Sequence, residues 1–320
     1  MRSKMSRFLK KFLRENEGMF SRKTKPAIYL GAYGKHPGWD DHIDDIGLET
    51  ESLLLAKQVL YVDGIGGQID SGDWDKLRDN ERLPEFKHII VWKRGNAFLL
   101  GRMWSSRDGK NRTKYPMIAC THCLNVPLAW ALMTVLPALE EVERRCKSTS
   151  SAEEVRDIIR QTLSGLRQSL GSASPSQEDV KGMAFIGQLG LADAQEKLFR
   201  ITYYVCTRLA RCLPDGTREA KTDLTPGQIR LPAASGLTRE TLAFWTQFVE
   251  SQFGTDVPLL LALPLQESWL DATSGEPTTR EFYSLRAKPE VLAIASDVPY
   301  DIDDEFRKTH QGTIQALMAA

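Results

Sequence analysis

The chain has 320 residues, 42% hydrophobic and 26% charged, enough apolar material for one large or two ordinary folded domains and too much for a disordered tail. Its 42 basic and 42 acidic side chains cancel, which disfavours a nucleic-acid binder unless the charge is segregated. Five cysteines are an odd number, far below the density of a disulfide scaffold, and no apolar run approaches the roughly 18 residues of a membrane span. A soluble chain in a reducing, cytoplasmic compartment is expected.

Residues 2–16 place Met5, Phe8, Leu9, Phe12 and Leu13 on one helical stripe. Arg2, Lys4, Arg7, Lys10, Lys11 and Arg14 fill the other side. The apolar residues are never contiguous enough for a signal peptide. Such a helix can lie on anionic lipid, dock on a partner, or pack on its own domain.

Ala27–Ala32 reads as a strand, Tyr33–Gly47 as a loop dense in Gly, Pro and Asp, and Leu48–Leu60 as a helix with Thr50 and Glu51 near its start. Asp63–Asn80, polar with four glycines, reads as a second long loop. His88–Trp92 and Ala97–Met103 are strands whose connection, with Gly95 and Asn96, signals a hairpin. The polar loop Ser105–Arg112 leads to a strand over Tyr115–Leu124 and a helix over Pro127–Arg145, where the leading Pro is tolerated. This β-α-β-β-β-α order predicts an α+β fold, a mostly antiparallel sheet with helices on one side.

After a small-polar link at Lys147–Ser151, the pattern predicts a helix over Ala152–Leu170 and a linker over Gly171–Glu178. A mixed segment runs from Val180 to Leu213. A strand at Gln228–Ala233, a helix at Thr238–Phe253, a strand at Val257–Leu263 and a short helix at Thr278–Arg286 follow. The last 25 or so residues read as peripheral.

Phosphate-binding glycine motifs, a G-x-S-x-G elbow and H-E-x-x-H are all absent. Cys120-Thr121-His122-Cys123 has C-x-x-C spacing, but no second such pair exists to complete a zinc knuckle. Inside a strand its two cysteines face opposite ways, so they read as core residues. The densest polar cluster is His36, Asp40, Asp41, His42, Asp44 and Asp45. It could hold a metal or an acid–base pair, which makes a metal-dependent hydrolase using His36, Asp40, Asp41 and His42 the alternative reading. A turn whose carboxylates cap the next helix is the simpler role.

Tyr33-Gly34-Lys35-His36-Pro37-Gly38-Trp39-Asp40-Asp41 resembles the opening motif of the type VI secretion accessory protein TagF (ImpM) family: an aromatic, Gly-Lys-x-Pro, then a Gly-Asp-Phe-like step, of which only Asp41 matches here. Asp108-Gly109-Lys110-Asn111-Arg112-Thr113-Lys114-Tyr115-Pro116 resembles the family's Asp-Arg-x-Gly-Arg-aromatic-Pro stretch, one residue longer and without the internal Gly. Trp92 and Gly101 lie between the two, as in the family's central hairpin. A looser echo covers Leu242–Trp245, Pro258–Leu261, Leu263-Pro264 and Phe282–Leu285.

The resemblance implies a longin- or profilin-like α+β core and a non-enzymatic, cofactor-free, cytoplasmic regulator of type VI secretion that binds other secretion-system proteins. Its expected binding residues are Tyr33, Gly34, Lys35, Pro37, Gly38, Trp39, Asp41, Asp108, Arg112, Tyr115 and Pro116. The glycines and Pro37 fix an unusual backbone path. Lys35, Trp39, Asp41 and Arg112 offer charge and aromatic surface, or tie the two loops together by ion pairs.

The expected organisation is a basic helix in 1–25, an α+β core in 26–147, a helix and linker in 148–178, and a C-terminal α/β part in 179–320 that can pack on the same core. Association with the inner membrane face would come through residues 2–16. Vesicle flotation tests that lipid reading. The full chain is expected to rise weakly with phosphatidylserine vesicles at low salt, to lose this without residues 1–16, and to lose it as the screening length falls below about 8 Å. A full chain left in the soluble fraction at low salt would assign the stripe to a partner or to its own domain.

Overall fold

The computed structural model describes residues 25–172, 182–212 and 226–319. The helix expected over residues 2–16 and positions 173–178 of the expected linker lie outside them. Within the described residues, seven strands build one antiparallel sheet: β1 (Ala27–Gly34), β2 (Lys87–Arg94), β3 (Ala97–Ser105), β4 (Pro116–Leu124), β5 (Gly227–Pro232), β6 (Leu259–Pro264) and β7 (Trp269–Ser274). Their order is β1-β4-β3-β2-β6-β7-β5. The fold is α+β, with helices against the sheet.

The hairpin is where the sequence puts it. Arg94 pairs with Ala97 across a two-residue turn, and Gly95 takes φ +59°, the left-handed conformation such turns need. Beyond it, β6 pairs with β2, Val91 opposite Leu261, so the strands from both halves of the chain share one sheet.

The helices are α1 (Glu51–Ala56) and α2 (Gly67–Ser71), joined by a π-helix (Lys57–Gly66), then α3 (Leu128–Lys147), α4 (Ala152–Ser169), α5 (Gly182–Gln188), α6 (Ala194–Arg208), α7 (Thr238–Phe253) and α8 (Asp304–Ala319). Thr50 caps α1 by accepting the Leu53 N–H, and Ser151 caps α4 by accepting that of Glu154. Pro127 stands at the N-cap of α3, where its missing N–H costs nothing.

The helices cover both faces of the sheet, not one. The alternation of β1, β3 and β4 sends Leu30, Leu100 and Ala119 to one face, where α3, α4, α6 and α7 pack. Tyr33, Leu99 and Ile118 go to the other, against Leu53, Leu60 and Ile65 of the 51–71 helices and Phe282 and Leu285 of a 3₁₀ turn. β3 and β4 are apolar on both sides, so both need a cover. Cys120 and Cys123 separate accordingly, one into each core.

Asp63–Asn80 is largely helical rather than a loop. Gly72 turns the chain at the end of α2 with φ +66°, but Gly64 and Gly67 serve close approach instead. A Cβ on Gly64 would lie 2.4 Å from the Phe282 ring, and one on Gly67 would lie 2.6 Å from Thr279. The C-terminal residues are also more structured than expected. Strand β7 escapes the apolar signal because Asp271, Thr273 and Ser274 are polar yet buried, and α8 buries Ile314. Asp271 lies opposite Arg230 of β5 and takes a two-pronged bond from its guanidinium at 2.8 and 2.9 Å, above the Trp269 ring.

Trp245 of α7 is fully buried and donates its Nε1–H to the Pro232 carbonyl at 2.8 Å, fastening α7 to β5. Trp245→Ala is expected to lose about 3–5 kcal/mol in urea unfolding. Trp245→Phe, which keeps an aromatic ring but not the bond, should lose less.

Candidate functional site

The two motif stretches meet at one end of the sheet. Gly34 ends β1 with φ +122°, and a Cβ there would fall 2.3 Å from the Pro116 carbonyl oxygen, so only glycine lets β1 run this close to the start of β4. The Lys35 N–H then donates to the Pro116 carbonyl at 3.1 Å, and the Gly109 N–H to that of Trp39 at 2.6 Å.

Asp108 is the hub. Its side chain is fully buried and accepts four bonds: from Lys35 Nζ at 2.9 Å, from Arg112 Nε at 2.7 Å, and from the N–H groups of Lys110 and Arg112 at 2.9 and 3.0 Å. Burial opposes the charged carboxylate, but these donors outweigh it and hold its pKa well below the ordinary range. Lys35 also bonds the exposed Asp41, whose pKa it lowers. Arg112 spans back to Asp41 at 3.1 Å and to the Asp40 carbonyl at 2.8 Å.

The binding residues expected from the sequence therefore fall into two groups. Tyr33, Gly34, Lys35, Asp108 and Pro116 are buried, and Lys35 is only 4% exposed, so it offers a partner no surface charge. Asp41 and Arg112 are exposed, with Pro37, Gly38, Trp39 and Tyr115 half-buried at the rim. Trp39 is clamped: its Nε1–H donates to Asp44 at 3.1 Å while Arg156 of α4, itself bonded to Asp44 at 2.7 Å, lies over the ring. Gly38 packs on the start of α4, where a Cβ would reach 2.7 Å from the Ala152 nitrogen.

The histidines are similarly occupied. Nδ1 of His36 accepts the Gly38 N–H at 3.1 Å, so Nε2 carries the proton and donates to the Cys146 carbonyl at 2.9 Å. Neither nitrogen is left for a metal or a substrate proton. His42 sits 3.1 Å from Asp41 and edge-on to Tyr61 and Tyr115. Burial, then Lys35, lowers its pKa, so it is neutral at pH 7. Among the described residues no three His, Cys, Asp or Glu side chains are placed to hold a metal ion. The His36/Asp40/Asp41/His42 arrangement thus lacks the convergence the hydrolase alternative needs.

Two features had no local sequence signal. Tyr61, inside the π-helix, joins Tyr33, His42 and Tyr115 in one aromatic cluster with ring centroids 5.5–5.7 Å from Tyr61. A cavity of about 840 Å³ also opens beside His36 and Pro37, lined by residues from six separate stretches of the chain. No helix among the described residues is long and apolar enough to cross a membrane. No family model, curated protein or solved structure matches the chain.

The hub makes an ordered prediction. Lys35→Met strands a buried carboxylate, whereas Arg112→Met removes a half-exposed partner, so Lys35→Met should lower the urea midpoint more. The Asp108 pKa is depressed by folding. Its stabilising contribution is complete above the unfolded value near about pH 4 and is lost as pH falls towards the folded value. Asp108→Asn should flatten the acid limb of the stability profile; an unchanged limb would show that other carboxylates control it.

Proposed function

We propose that this chain is a non-enzymatic, cytoplasmic accessory protein or post-translational regulator of a type VI secretion system, acting by binding other proteins of that apparatus. One observation carries the reading. The two stretches that resemble successive TagF motifs, with Lys35 and Asp108 lying 73 residues apart in sequence, interlock around one buried carboxylate. Motifs that came together by chance would have no reason to share a hub.

The interlock presents Trp39, Asp41, Arg112 and Tyr115 from a fixed backbone, and a rigid, aromatic and arginine-bearing rim is what protein interfaces favour. Function then needs no cofactor and no chemistry at the loop, only a shape held before the partner arrives.

Two-hybrid pairing of the full chain with each sheath, baseplate and cytoplasmic component encoded beside it tests the proposal. At least one pair is expected to signal. Trp39→Ala is expected to weaken that pair by about 2 kcal/mol, roughly thirtyfold, if the indole is an interface anchor. Neighbouring genes unrelated to secretion, together with no pair that signals, would overturn the reading.

A further inference from the structure

The cavity beside the motif loops carries a charge imbalance that the chain as a whole does not. Arg82, Arg107, Lys114, Lys147 and Arg286 line it against a single acidic side chain, Glu85, in a protein whose acids and bases are equal in number.

These cations are poorly compensated from within. Arg286 donates Nε to the Leu83 carbonyl at 2.8 Å and Nη2 to that of Pro84 at 3.3 Å, and its guanidinium lies over Phe86 at 4.8 Å. Among the described residues no carboxylate pairs with it. Burial, then the neighbouring Arg82, bring its pKa down to about 10. Arg82 donates to the Trp74 carbonyl at 3.3 Å, and its carboxylate contacts are long, 3.4 Å to Asp75 and 3.9 Å to Asp79. Lys147 shares the buried Glu143 with Arg102, two cations on one carboxylate. Arg107 and Lys114 are exposed and have no acidic partner among the described residues. Arg286 also acts on the buried His88, whose pKa is held at about 3 by burial first and then by Arg286, Arg102 and Arg230.

The geometry points to a docking trough for an acidic peptide segment of a protein partner, one carrying several separate carboxylates. Three features select this occupant. The cations come from different parts of the chain and line a broad trough, which suits spaced charges better than one dense phosphate. The lining is charged, unlike the mostly apolar wall of a small-molecule site. Finally, His36 and Pro37 of the motif loop form part of it, so the trough is continuous with the proposed partner-binding rim. Arginine clusters that read acidic motifs use the same chemistry, forked N–H donors on oxyanions. The inference rests on the reading of the chain as a protein-binding regulator, and it adds the chemistry of what is bound.

The test uses the full chain and a labelled hexaglutamate peptide, with hexaglutamine as the neutral control, followed by fluorescence anisotropy at about 50 mM salt, where screening is modest. Arg286 is unsuited to substitution because it also braces Leu83 and Pro84. Arg107 and Lys114 are exposed and brace nothing, so R107E/K114E retains the fold. R239E/K308E, at exposed positions outside the trough lining, matches it in net charge. Hexaglutamate is expected to bind and hexaglutamine not, with R107E/K114E weakening binding about tenfold or more and R239E/K308E leaving it unchanged.

Absent binding of hexaglutamate, equal weakening by the two double variants, or displacement by inorganic phosphate at concentrations that leave the salt effect unchanged would each overturn the peptide assignment. Because the probes are synthetic, this result is separate from the two-hybrid outcome. Failure there with hexaglutamate bound at the trough would remove the secretion partner and leave the acidic-peptide site.

Discussion

The pairing of β2 with β6 is the constraint on which the charged trough of this protein depends. It is a single antiparallel ladder, His88 to Lys93 against Pro264 to Leu259, and it joins the four strands of the first half to the three of the second. A one-residue slip would exchange the faces of β6 and send Leu261 and Leu263 out of one core and Leu260 and Ala262 out of the other. With the register fixed, the chain beyond β7 returns across residues 81–86. The Leu83 N–H meets the Arg286 carbonyl at 2.7 Å, and the Lys288 N–H meets that of Glu81 at 2.8 Å. Arg286 is set beside Arg82 by that path, two cations brought together by backbone pairing rather than by any attraction between them.

Keeping like charges close costs stability, and the fold shows what it does when it wants charges neutralised. Asp108 has two cations and two amides around it, and Arg230 has Asp271 in a two-pronged pair. Both buried arrangements are close to fully satisfied, as buried ions must be. Arg286 has two carbonyl oxygens and two aromatic rings instead. Carbonyls and ring faces can hold a guanidinium in place without cancelling its charge. The contrast separates residues whose charge is consumed by the fold from those whose charge remains available at the surface.

Much of the sheet was legible because its signals are local. The Gly95-Asn96 turn, the Pro before α3 and the short apolar runs of β1 to β4 each announce themselves within a few residues. The elements that were misread depend on distant partners. Gly64 and Gly67 look like loop residues until Phe282 and Thr279 are seen against them. β7 looks polar until Arg230 is found opposite Asp271. The motif loops were recognisable as a pair, and their mutual ion pairing was one of the two roles open for them. Arg82 and Arg286 lie about two hundred residues apart in sequence, and no local pattern connects them.

The residues that make the two stretches recognisable are largely those that build the loops. Gly34 is required by the Pro116 carbonyl, Lys35 by Asp108, Gly38 by the first residue of α4. Each is dictated by a neighbour inside the fold, so these residues hold a shape and contribute little exposed surface. Groups facing outward are under no such internal demand: Arg107 falls just outside the second stretch, Lys114 lies within it, and neither has a role in the hub. A scaffold of this kind can keep its loop geometry while the charge at its rim changes. Under the acidic-peptide proposal, partner selection falls to the side chains around the trough, and the interlocked loops set where His36 and Pro37 of its lining stand.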